Sequence, residues 1–240
     1  MTTLDEKINH LSKAVFGGLI VSCQAQPKLP IGRPDFIAAM AETAEIFGAA
    51  GVRIEAPENV AAVKPVVSVP LLGLYKISDP ATEVYITPTF QSAKEIADAG
   101  AGAIAIDATL RSRANGENIL EICRRIKDEL GLPLIADIAT FDEGVRAAEE
   151  FGCDFVSTTL SGYTAETLPT PSEPDFHTVE LLAKRLKVPV FAEGRLASPT
   201  HIKIAFEHGA HACVVGNAIT GIDHLVKEFV AAGKKQRQVS

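Results

Sequence analysis

Gln91-Ser92-Ala93-Lys94-Glu95-Ile96-Ala97-Asp98-Ala99-Gly100-Ala101-Gly102-Ala103-Ile104-Ala105-Ile106-Asp107 holds one full unit of the pattern that recurs through this chain. It reads as a polar-faced helix over Gln91–Ala99, then a glycine where a helix end favours the left-handed conformation, then a short apolar run stopping on a charge. The same order of signs recurs along the chain, with breaks at Gly48, Gly100, Gly131, Gly152 and Gly209. Candidate strands are Leu19–Cys23, Val52–Glu55, Leu71–Tyr75, Ala103–Asp107, Leu134–Asp137, Asp154–Ser157, Val190–Ala192 and Ala212–Val215. Between them lie helix-period segments such as Asp35–Phe47, Gln91–Ala99, Glu117–Leu130, Asp142–Phe151, Thr178–Leu186 and Pro199–His208. Runs that are apolar on both faces and separated by helices predict parallel strands with crossover connections. Eight such units predict an α/β protein of the closed (β/α)8, or TIM-barrel, class. No Gly-x-Gly-x-x-Gly follows the first strand, which counts against a dinucleotide-binding sheet.

The chain has 240 residues, of which 47% are hydrophobic. That is enough for one large core, and the expectation is a single barrel domain over 1–240 with a short N-terminal helix and a polar tail from Lys234 to Ser240. A net charge of −7 and an isoelectric point near 5.4 leave no basic stripe, so nucleic acid and anionic membrane are not expected as partners. The first residues, Met1 to Lys7, carry no basic and apolar leader pattern, and no apolar run approaches a membrane span; the reading is a cytoplasmic protein. Cys23, Cys123, Cys153 and Cys213 are far apart, with no Cys-x-x-Cys and no clustered histidines. They read as reduced packing residues, and no metal site is expected.

In such a barrel the chemistry sits where the strands end. The residues there are Gln24, Arg53 with Glu55, Lys76, Asp107 with Thr109 and Arg111, Asp137, Thr158 with Thr159, Glu193 with Arg195, then Gly216 and Asn217. Gly73-Leu74-Tyr75-Lys76 and Ala192-Glu193-Gly194-Arg195 stand out, because each ends an apolar run on a group able to move a proton. Strands three and seven are four places apart in a ring of eight, so Lys76 and Glu193 face each other across the mouth. Two proton carriers on opposite sides of a carbon are what inversion at an acidic C–H centre requires, given a lysine shifted down and a glutamate shifted up. The structural reading of the same residues is ion pairing: Lys76 with Glu193, or separate pairs with Asp137 and Arg195; Arg53 with Glu55 or another strand-end acid; Arg195 at the surface. Gly194, Gly216 and Asn217 follow strands seven and eight, where backbone N–H groups commonly meet a phosphate in this fold. Arg195 is the nearby positive charge.

These residues carry a resemblance. Ser22-Cys23-Gln24, Gly51-Val52-Arg53, Gly73-Leu74-Tyr75-Lys76, Ile86-Thr87-Pro88-Thr89, Asp107-Ala108-Thr109, Ala136-Asp137-Ile138, Thr158-Thr159-Leu160-Ser161-Gly162-Tyr163-Thr164, Ala192-Glu193-Gly194-Arg195 and Val215-Gly216-Asn217-Ala218-Ile219-Thr220 appear in one order from about Phe16 to Asp223. Together they resemble the N-acetylmannosamine-6-phosphate 2-epimerase family. The resemblance implies a cytoplasmic isomerase of sialic acid and amino-sugar catabolism, acting on a sugar phosphate without a cofactor. In it Lys76 is the base at C2, Glu193 is the acid on the other face, and Gln24, Arg53 and Asp137 hold the sugar and orient the lysine. It also implies that a homodimer is common, with the helix Asp223–Ala232 available for packing. One departure is visible: the family pattern Gly-Ser-Ala-Ile-Thr-Arg-Pro has become Gly216-Asn217-Ala218-Ile219-Thr220-Gly221-Ile222, without the arginine expected at the phosphate. The Thr159–Asp175 segment is long for a loop and reads as a lid. A Schiff-base aldolase on the same barrel, with Lys76 as nucleophile, and a non-catalytic sugar-phosphate sensor are the competing readings.

Overall fold

The computed structural model of the chain describes residues 2–113 and 116–237. Eight parallel strands close on themselves in chain order: β1 (Leu19–Cys23), β2 (Gly51–Glu55), β3 (Leu71–Leu74), β4 (Ala103–Asp107), β5 (Leu134–Asp137), β6 (Phe155–Ser157), β7 (Val190–Glu193) and β8 (Ala212–Val215), with β8 pairing back onto β1. This is the expected TIM barrel. Around it stand α2 (Pro34–Ile46), α3 (Pro57–Val63), α4 (Phe90–Asp98), α5 (Ile119–Arg125), α6 (Phe141–Glu149), α7 (Phe176–Arg185) and α8 (Pro199–Glu207). α1 (Leu4–Val15) precedes the barrel, and α9 (Asn217–Thr220) and α10 (Ile222–Arg237) follow it.

The helices start where side chains satisfy their free N–H groups. Thr89 and Thr140 form reciprocal capping boxes with Ser92 and Glu143, and Asp175 and Ser198 cap α7 and α8. They stop where glycine allows a left-handed turn: Gly48, Gly100, Gly131, Gly152 and Gly209 all have positive φ. The segment expected as one helix over Glu117–Leu130 begins later, at Ile119 behind the Asn118 cap, and changes to a π-helical turn over Ile126–Leu130. α10 runs on to Arg237, into the polar stretch expected from Lys234; residues 238–240 lie outside the described residues.

Strand side chains alternate between the barrel interior and the helix layer. Ile20, Leu72, Leu74, Ala105, Ile135, Phe155, Phe191 and Val214 fill the interior, while Val21, Val52, Ile54, Ile104, Val156 and Cys213 face the helices. α1 adds Leu11 and Val15 to the inner core, and Ser12 bonds His211 just before β8, so this helix closes the end at which the strands begin. Moving two residues further along each inward row leads from Ile20 to Ser22, Leu74 to Lys76, Ala105 to Asp107, Ile135 to Asp137, Phe155 to Ser157, Phe191 to Glu193 and Val214 to Gly216. Arg53 sits opposite Ser22 in the β1–β2 register. One period-two rule therefore makes the lower barrel apolar and its upper rim polar. All four cysteines are buried and unpaired, and burial pushes the thiols of Cys23 and Cys213 up to about 12. Among the described residues, no helix is long and apolar enough to cross a membrane, and no group of three or more His, Cys, Asp or Glu side chains is placed to hold a metal.

Candidate active site

Lys76 follows β3 and is held by the chain that returns over it. Its backbone pairs antiparallel with Ile86, Thr87 N–H donates to Tyr75 O at 2.7 Å, and the Thr87 hydroxyl donates to Ala105 O at 2.6 Å. The Lys76 N–H in turn donates to Glu55 Oε1 at 3.3 Å. The side chain opens to solvent through the mouth but is crowded on its other sides by the barrel wall. That crowding, and then the charge of Arg53, pushes the Lys76 ammonium below its ordinary range, against the pull of Glu55, Glu193 and Asp137.

Glu193 ends β7 with its carboxylate mostly buried. Its backbone is clamped by Thr158, whose hydroxyl accepts from Glu193 N–H at 3.1 Å and donates to Glu193 O at 2.9 Å. Oε2 accepts from Arg53 Nη1 at 2.7 Å and from the Ser157 hydroxyl at 3.0 Å. Burial raises the Glu193 carboxyl above the usual range and the neighbouring Asp137 adds to this, while Arg53 opposes both. The two proton carriers are thus shifted toward each other.

Beneath them lies a buried ion network. Arg53 Nη1 and Nη2 reach Asp137 Oδ1 and Oδ2 at 2.9 and 2.6 Å in a two-point contact, and Nη1 also serves Glu193. One guanidinium faces two carboxylates that are otherwise desolvated. Burial disfavours its charge, but Asp137 and Glu193 outweigh that and hold Arg53 firmly protonated. The Thr159 hydroxyl donates to Asp137 Oδ1 at 2.5 Å. Of the pairings expected for Arg53, with Glu55 or with another strand-end acid, the second is found, to Asp137 and Glu193, and among the described residues Lys76 makes no ion pair with Glu193 or Asp137. Arg53 and Asp137 do not line the cavity above them; they support the group that does.

That cavity has a volume of about 1050 Å³ and is lined by Gln24, Glu55, Lys76, Thr159, Glu193, Gly194, Arg195, Gly216 and Asn217. Gln24 donates from Nε2 to Ser22 Oγ at 2.8 Å, while its buried Oε1 has no partner among the described residues. The two turns after β7 and β8 come together here. Gly194 and Arg195 have φ of +102° and +58°, and Gly216 precedes the single-turn helix α9, which the Thr220 hydroxyl ties to Ser22 O at 2.8 Å. Asp107, Thr109 and Arg111 lie elsewhere: Arg111 pairs with Asp107 at 2.7 Å, and none of the three is on the cavity wall.

A family model described as "Putative N-acetylmannosamine-6-phosphate epimerase" matches residues 37–235. A Thermosynechococcus vestitus protein called "Putative N-acetylmannosamine-6-phosphate 2-epimerase" is 46% identical, covering 96% of this chain and 100% of its own. The chain belongs to the N-acetylmannosamine-6-phosphate epimerase family. A protein of the same name from Caldanaerobacter subterraneus is 42% identical over 92% of each chain. Among solved structures, the N-acetylmannosamine-6-phosphate 2-epimerase from Clostridium perfringens superposes with a TM-score of 0.88 at 38% identity, over 93% of this chain and 96% of that one.

Seen within that family, the sequence brought Gln24, Lys76, Glu193, Gly194, Arg195, Gly216 and Asn217 to one cavity. It did not single out Ser157, whose hydroxyl meets Glu193, although the alternation Phe155, Ser157 contained that signal. Lys227, His224 and Asp223 of α10 also reach the wall, for which the amphipathic pattern of a terminal helix offers no cue.

Proposed function

We propose that this protein interconverts N-acetylmannosamine 6-phosphate and N-acetylglucosamine 6-phosphate by moving the proton at C2 from one face to the other. The observation that carries the reading is the pair Lys76 and Glu193, on β3 and β7 of an eight-stranded ring, lining one cavity with shifts that converge. In the open-chain sugar the C1 aldehyde acidifies C2, so neutral Lys76 removes the proton and protonated Glu193 returns one to the opposite face. The reverse direction exchanges the roles. Glu193 is held at its station by Arg53 and Ser157, and Arg53 by Asp137; the unpartnered Gln24 Oε1 is an acceptor for a sugar hydroxyl. The reaction so written uses no metal or cofactor.

The phosphate end is assigned to the turns at Gly194 and Gly216–Asn217. The Asn217 and Ala218 N–H groups open the α9 turn and donate to no backbone carbonyl among the described residues. Lys227 on the same wall supplies a positive charge in a chain that carries Gly221 in place of the family pattern's arginine. A cytoplasmic enzyme acting on a small sugar phosphate, without nucleic-acid or membrane partners, fits the acidic composition. The exposed Ile222, Val226, Phe229 and Val230 on one face of α10 support a homodimer.

The test is incubation with N-acetylmannosamine 6-phosphate in D2O, following C2 by proton NMR. The expected result is the gluco epimer carrying deuterium at C2, with turnover reduced by about 10²–10⁴ in Lys76→Ala and in Glu193→Ala. Absence of both conversion and exchange in the wild type would sink the reading. Covalent trapping by borohydride in the presence of the sugar would point instead to a Schiff base on Lys76.

A further inference from the structure

We propose, resting on the epimerase reading, that Arg195 is a positioning residue: it fastens the loop between β6 and α7 to the strand end that carries Glu193, and its guanidinium does not hold the phosphate. Arg195 lines the cavity, yet its Nε and Nη1 are engaged by the loop. Nε donates to Glu173 O at 2.9 Å, and Nη1 donates to Ser161 O. Ser161 is on the limb that leaves β6 and Glu173 on the limb that enters α7, so one side chain closes the loop's two ends against each other. The guanidinium carbon also lies 5.5 Å from the centre of the Tyr163 ring, and Tyr163 itself lines the cavity.

The backbone on both sides is shaped for this contact. Arg195 has φ +58°, a left-handed conformation uncommon for a residue other than glycine. Opposite it, Gly162 has φ +83°, and a Cβ there would stand 2.7 Å from Arg195 Nη1 and 2.9 Å from Pro171 Cδ. The lock is reciprocal, since Thr158, at the start of the same loop, clamps the backbone of Glu193 on both its N–H and its C=O. Thr167 and Thr170 bond Gly162 N–H and O, and Ser161 bonds the Asp175 cap of α7 at 2.7 Å. The loop is thereby a fixed wall, and the acid Glu193 stands two residues from the side chain that pins it. With Nε and Nη1 each donating to a loop carbonyl and the plane near an aromatic ring, the orientation of the guanidinium is set by the loop, and only its remaining N–H groups are available to other partners.

Arg195→Gln and Arg195→Lys separate the two roles. The expected result for both is a fall in kcat on the order of 10–100-fold, since misplacing a proton carrier by a fraction of an ångström weakens transfer. KM, and the inhibition constant of inorganic phosphate, should stay within about threefold of the wild type. Lysine should not rescue, because it lacks the fork that spans Ser161 O and Glu173 O. Limited chymotrypsin cleavage after Tyr163 should accelerate in both variants. A rise in KM and in the phosphate inhibition constant with kcat held, largely restored by lysine, would overturn the proposal, as would wild-type kcat and cleavage. If the Arg195 variants do not fold, Gly162→Ala pushes the guanidinium aside from the other partner and should reproduce the loss in kcat; unchanged kcat there overturns it. A wild type without turnover would fail the epimerase reading itself, and the cleavage rates would still decide whether Arg195 fastens the loop.

Discussion

A lysine ordinarily titrates near 10.5 and a glutamic acid near 4.5, so the state the forward reaction needs, neutral Lys76 with protonated Glu193, is a rare one. Each unit by which the two values approach raises its population about tenfold. Desolvation of both groups supplies that approach, and the same count of protons serves the reverse direction with the proton on the other partner. We therefore expect one bell-shaped pH profile of kcat/KM for both directions, rising through the Glu193 limb and falling through the Lys76 limb, with both limbs inside 4.5 to 10.5. A profile with a limb at an unshifted value would count against it. Arg53 is tested through stability. Arg53→Met leaves Asp137 and Glu193 buried without their counter-charge, and should cost about 3–5 kcal/mol in denaturant unfolding at neutral pH. A carboxyl whose folded pKa is raised contributes most below its unfolded value and loses that contribution as pH rises through the folded one. The deficit of the variant should therefore shrink on acidification. Lys76 and Glu193 were legible because each ends an apolar run; the Arg53–Asp137 contact spans three strands of the ring, and no local pattern encodes it.

At the scale of elements, β3 shows how packing places a reactive group. Gly73 points away from the interior, where a Cβ would meet Ile96 Cγ2 at 2.4 Å and Ala101 Cβ at 2.7 Å, so α4 lies close against the strand only because this side chain is missing. Gly73→Ala is expected to cost about 1–3 kcal/mol by overpacking, read as a lower unfolding midpoint, and to reduce turnover because Lys76 follows three residues on. A neutral substitution would show that α4 yields freely. The strands and longer helices could be read from the chain because caps, glycine stops and β-branched runs are local signals. α3 could not: its seven residues span about two turns, too few for a period to emerge. The π-helical turn after α5 was likewise hidden, since it follows from how the helix meets the sheet and not from composition. The Thr159–Asp175 loop read as a lid by its length, whereas the hydrogen bonds of Ser161, Gly162, Thr170 and Arg195 that fasten it are visible only in space.

At the scale of the whole molecule, α10 leaves an apolar face uncovered among the described residues. Ile222, Val226, Phe229 and Val230 recur at helical spacing on α10 and are exposed, while Lys227 of the same helix reaches the cavity. If a second copy covers that face, Phe229→Asp should convert the wild-type dimer to a monomer in sedimentation analysis; a wild type that is monomeric at high concentration would remove the proposal. Such a dimer would also bear on turnover, because α10 forms part of the ligand wall. The barrel, the order of its strands and the residues at their ends are legible in the chain, because hydrophobic alternation and helix punctuation act over a few neighbouring residues and eight repeats admit few closures. Which of those polar ends meet is settled by folding in three dimensions. Arg53 joins Asp137 and Glu193, Arg195 turns to the loop, and Asp107 pairs with Arg111 away from the cavity, because these outcomes depend on the tilt and register of a closed ring and on the desolvation that closure imposes.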